Sequence, residues 1–105
     1  MNDQDGVARQ LGNLVLIEMA RGNLDVAETT LDRALAIHTS LGDEESIAKH
    51  LNNRAYICID RGLFPQAFDQ ASRARELYAK VGAASLVEGV DELLAWLSQQ
   101  LANRQ

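Results

Sequence analysis

The chain alternates short polar breaks with long stretches in which apolar residues recur every three or four positions. From about residue 6 to 21, Val7, Leu11, Leu14 and Val15 fall at helical spacing, and Gly22-Asn23 breaks the run. From about 24 to 41, Leu24, Ala27, Leu31, Ala34, Leu35, His38 and Leu41 share one side, and Gly42 ends the run as a C-cap glycine does. The pattern then returns: about 46–61, a break at Gly62-Leu63, about 64–81, and Gly82. Pro65 falls in the first turn of its segment, where its missing N–H costs nothing. A fifth segment, about 84–102, carries the stripe Leu86, Val90, Leu93, Leu94, Leu97 and Leu101. Five helices and no strand are predicted.

The second pair of helices copies the first. Residues 7–45 and 47–85 align without a gap, with identities at Ala8/Ala48, Leu11/Leu51, Asn13/Asn53 and Ile17/Ile57. Arg21-Gly22/Arg61-Gly62, Ala27/Ala67, Arg33-Ala34/Arg73-Ala74 and Gly42/Gly82 extend the match. About a quarter of the pairs are identical, far above chance, so the chain is one unit written twice, the signature of a stacked array. The last helix fits the first helix of each unit best at an offset of 39 rather than 40. That offset implies a one-residue deletion where "GAAS" follows the pattern of "GDEES". Such a terminal helix covers the last open face of an array. The expected organisation is a single domain over 1–105, with units at 6–42 and 46–82 and a capping helix at 84–102.

These residues resemble the tetratricopeptide repeat, whose unit follows the pattern W-x2-L-G-x2-Y…A-x3-F…P. In the first unit the resemblance runs through Leu11, Leu14, Val15, Glu18, Gly22, Ala27, Leu31 and Ala34. In the second it runs through Leu51, Arg54, Ala55, Cys58, Gly62, Ala67, Ala71 and Ala74. Glu18 and Cys58 stand where the family has Tyr, Arg54 where it has Leu, and the closing Pro is absent. The longer, forty-residue variant fits best. The resemblance implies an all-α solenoid acting as a binding scaffold, with a groove on its concave side for a peptide or helix. Matched onto this chain, the groove positions are Arg9, Asn13, Leu16, Met19 and Ala20, then Lys49, Asn53, Tyr56, Ile59 and Asp60. Leu16, Met19, Tyr56 and Ile59 make it apolar, which favours an amphipathic segment over a charged C-terminal tail. Asn13 and Asn53 fit two roles equally, bonding a ligand's backbone or a neighbouring helix.

Composition narrows the function further. Apolar residues make up 47% of the chain, enough for a folded core, and the net charge is −5, which repels a phosphate backbone. Nucleic acid is therefore not an expected partner. Cys58 is the only cysteine, no run is long enough for a membrane span, and the polar start is unlike a signal peptide, so a cytoplasmic protein is expected. His38 and His50 lie on different helices without a Cys pair or HExxH motif, so no metal site is expected and His38 reads as a packing residue. Cys58 has no histidine to activate it, and the glycines are single helix breakers rather than a phosphate loop. No cofactor and no enzymatic activity are expected. Glu18 and Arg54 are expected to pair between helices. Trp96 divides between core and interface: an offset of 40 places it with Leu16 and Tyr56 in the groove, an offset of 39 with Ile17 and Ile57 beside the apolar stripe. Two alternatives stand beside the scaffold: a sensor segment of a larger signalling or transcription regulator, and a homodimerising module, since two units fall below the roughly three an array usually needs.

Overall fold

The computed structural model describes residues 3–104 and is an all-α array of five helices. They are α1 (Gln4–Ala20), α2 (Leu24–Leu41), α3 (Glu44–Asp60), α4 (Phe64–Lys80) and α5 (Ala84–Ala102). Each packs against its neighbours in chain order, giving an elongated body of 53 × 32 × 18 Å. Among the described residues no helix is long and apolar enough to cross a membrane.

One turn is used four times. Gly22, Gly42, Gly62 and Gly82 recur every twenty residues and all have positive φ, between 68° and 78°. In each turn the next residue's N–H reaches back five residues: Asn23 to Glu18, Asp43 to His38, Leu63 to Cys58 and Ala83 to Tyr78, at 2.8–3.1 Å. This is the Schellman arrangement, which satisfies the last carbonyls of one helix while a left-handed glycine reverses the chain. The residue after each glycine then caps the following helix. Asp43 does so with its side chain, accepting from the Ser46 N–H at 3.1 Å, with Glu44 and Glu45 in the first turn. Those bonds to Ser46 hold the Asp43 carboxyl below its ordinary pKa.

The helix starts correct the expected offset of 39. Gln4, Glu44 and Ala84 open the first, third and fifth helices forty residues apart, so nothing is deleted before α5. The same four positions then face the preceding helix pair: Ile47, His50, Arg54 and Ile57 on α3, and Val87, Val90, Leu94 and Leu97 on α5. Ile57 and Leu97 are both wholly buried.

Leu14 is 47% exposed, since among the described residues no helix packs on it, whereas Ala8, Leu11 and Val15 are buried and its counterparts Arg54 and Leu94 are half-buried. Glu18 and Arg54 do not form the expected pair. Glu18 bonds Arg21 and Asn23, while Arg54 pairs with Asp32 on α2.

Where the two units meet, the histidines come together. His38 of α2 and His50 of α3 are 1% and 3% exposed, stacked with centroids 5.0 Å apart. His38 Nδ1 lies 2.8 Å from His50 Nε2, and His38 Nε2 lies 3.0 Å from the Asp5 carboxylate. A carboxylate only accepts, so His38 donates from Nε2; with neutral rings, its Nδ1 accepts from His50 Nε2–H. His50 Nδ1 is left buried without a partner. His38 is thus more than packing: it ties α1 to α3 through α2.

Two outcomes test this fold. Nothing lies within 4 Å of a Cβ built at Gly62, so Gly62→Ala meets only the left-handed backbone penalty; urea unfolding should show a loss of about 1 kcal/mol. Burial, then the neighbouring His38, lowers the His50 pKa from 6.5 to about 4. The unfolded chain therefore takes up a proton that the fold refuses. The stability from neutral His50 is complete above pH 6.5 and is lost as pH falls towards 4, by about 3 kcal/mol in all. Unfolding free energies measured from pH 7 to 4.5 should fall accordingly, and His50→Gln should flatten that slope.

Candidate partner-binding groove

Helices α1, α3 and α5 place equivalent residues along one side of the array. At offsets of forty, Leu16, Tyr56 and Trp96 form a row, exposed by 46%, 43% and 42%. The chain's single Trp is therefore not core. It stands in the third position of the groove row, edge-on to Phe64 of α4 with ring centroids 5.7 Å apart. Arg104 covers the same Phe64 ring at 4.9 Å and donates to the Gly62 carbonyl at 3.2 Å, fixing the end of α5 against the α3–α4 turn. Trp96 thus has a supported edge and an open face.

The other expected groove residues divide. Arg9, Asn13 and Lys49 are exposed, and with Gln10 they line one recess between α1 and α3. A second recess joins Arg9, Glu45, Lys49, Tyr78 and Leu86, so residues of α1, α3, α4 and α5 meet on this side. Arg9 is held by Asp5 at 3.2 Å. Burial, with Glu45 nearby, raises the Tyr78 phenol above its ordinary pKa, so it stays a neutral donor. Asn53 is half-buried, and its side-chain nitrogen is buried without a hydrogen-bond partner. Met19 and Ile59 are half-buried: Met19 packs against the cluster of Val15, Ala27, Leu31 and Ile57, and Ile59 against the core of the second unit.

Two further residues lie on this side. With the offset set to forty, Leu86 is the counterpart of Gly6 and Ser46, and Leu93 of Asn13 and Asn53. Leu86 is 45% exposed and Leu93 half-buried. The twenty-residue spacing of the four turn glycines carried the signal for that register. The groove therefore runs from charged and amide side chains on α1 to leucines and Trp96 on α5.

The Cys58 thiol is half-buried, and burial raises its pKa, which keeps it protonated. Among the described residues, one group of metal-type ligands comes together, with ligand atoms of Asp5, His38 and Asp43 within 4.8 Å of one another. Each already has a protein partner: Asp5 with His38, His38 with His50, and Asp43 with Ser46.

Comparison with known proteins agrees with this architecture. No curated protein matches the chain at a significant level. A family model described as tetratricopeptide repeat matches residues 7–80, which span both helix pairs and most of the chain. With its paired helices, buried small residues and repeated glycine turns, the chain belongs to the tetratricopeptide repeat family.

Proposed function

We propose that this chain is a protein-interaction module whose groove holds an amphipathic segment of a partner, its apolar side turned to Leu16, Tyr56 and Trp96. Tetratricopeptide repeats in general mediate contacts between proteins. The observation that carries the finer reading is the row of three large apolar side chains at one structural position, each more than two-fifths exposed. A soluble array gains nothing from leaving Leu, Tyr and Trp open at the same place in every first helix, and a continuous exposed apolar row is the usual mark of a binding surface. Aromatic side chains backed by a rigid wall are also the commonest anchors of binding energy.

The polar groups set direction. Asn53 is half-buried beside the row, between the groove side and the neighbouring helix. Arg9 and Lys49 supply positive charge at the α1 end, where acidic side chains of the segment would lie. A clamp for a terminal carboxylate would need that charge to continue on the third helix, and α5 presents Leu86, Leu93 and Trp96 there instead. The net charge of −5 leaves nucleic acid outside this reading.

Trp96 is the chain's only Trp, so its fluorescence reports on the groove directly. Amphipathic peptides selected by display against the chain should shift its emission to the blue. In calorimetric titrations Tyr56→Ala should weaken those peptides by roughly tenfold or more, and Lys49→Ala by less than about threefold. A ranking in which Lys49 outweighs Tyr56 would contradict the apolar reading and favour a charged tail.

A further inference from the structure

The two ends of the array differ in a way the groove does not explain. On α3 and α5, four positions pack against the preceding helix pair: Ile47, His50, Arg54 and Ile57, then Val87, Val90, Leu94 and Leu97. On α1 the same positions hold Val7, Gln10, Leu14 and Ile17, and no helix among the described residues packs on them. Ile57 and Leu97 are 0% exposed, and Ile17, their counterpart, is 46% exposed; Val7 and Leu14 are 45% and 47% exposed. The composition is that of a packing face: three of the four residues are apolar, against four on α5 and two on α3.

The face continues onto α2. Val26, Ile37 and Leu41 lie on the flank of α2 opposite the one that meets α3, and a recess lined by Gln4, Ile37 and Leu41 joins them to α1. Val26 and Leu41 are 53% and 51% exposed. In the second unit the place of Val26 is taken by Gln66, so the end of the array is more apolar than the equivalent surface inside it. At the opposite end, the outward side of α5 carries Glu88, Asp91 and Glu92, and Arg75 pairs with Asp91. That end is dressed for water.

The geometry points to a second copy of this chain as the occupant of the α1–α2 end, in a two-fold dimer that sets this face against itself. Head-to-tail stacking would press the acidic face of α5 onto Val7, Leu14 and Ile17 and bury charges without partners. A two-fold pairing instead sets apolar on apolar, with each copy supplying to the other the cover that α2 gives to Ile57. The α1 stripe and the α2 flank contain no acidic residue, so two chains of charge −5 meet there with least repulsion. The groove row lies on a different side of α1 and stays open, so this inference stands whether or not the groove reading does.

Light scattering on the full chain across a concentration series tests it. The mass should be twice 11.5 kDa at ~100 µM and fall towards 11.5 kDa on dilution. Leu14→Glu and, separately, Ile17→Glu should each give the single-chain mass with helical circular dichroism intact, since both side chains are exposed within the chain itself. Trp96→Glu in the groove should leave the doubled mass unchanged. A single-chain mass at every concentration would overturn the proposal, as would a dimer that survives both α1 substitutions or is lost with Trp96→Glu. Masses that grow without limit would show head-to-tail stacking and overturn it equally.

Discussion

Two helices approach only as closely as the side chains between them permit, and here that limit is set by alanine. Ala8, Ala27, Ala34, Ala48, Ala55, Ala67, Ala71 and Ala74 are all 0% exposed. Each contributes little apolar area, so their value lies in what they allow: backbones close enough for Leu31, Leu51 and Tyr78 to fill the remaining space from the sides. Larger residues at those positions would push the pair apart and with it the row of groove side chains on its outer edge. Three of these small positions recur at the forty-residue period, as Ala8/Ala48, Ala27/Ala67 and Ala34/Ala74.

From that regular stack come surfaces of three kinds, distinguished only by what covers them. Position 57 is core because α1 and α2 lie over it, position 97 because α3 and α4 do, and position 17 is surface because nothing does. The groove row is exposed in all three first helices, so its apolar character is not a remnant of packing. His38 and His50 add a polar tie at the place where the two units join, and burial keeps His50 neutral there.

Much of this was legible in the chain. The glycine breaks, the helical periodicity and the identities between residues 7–45 and 47–85 gave five helices with ends within two residues of those observed. The register of α5 was not legible from hydrophobicity, because Leu86, Leu93 and Leu94 give that helix more than one apolar stripe, and an offset of 39 fits one of them. Leu14 misled for a related reason: it has the apolar character of a packing residue, but what it would pack on is absent. The placing of the α1 and α3 candidates on one side of the array was legible because it depends on the period alone; that Met19 and Ile59 are half-buried was not. The histidine pair could not be read at all. His38 and His50 belong to different units, and only the turn at Gly42 and the crossing of α2 over α3 bring them to 2.8 Å.

The claim that close approach through alanine governs the fold has a direct test in Ala55→Leu, with stability measured by urea unfolding. Leucine adds apolar surface at a wholly buried position, so if burial alone held the helices together the variant would be as stable as the parent or more so. Close approach predicts the opposite, a loss of about 1–3 kcal/mol as α3 and α4 are forced apart. An unchanged or raised unfolding midpoint would contradict it.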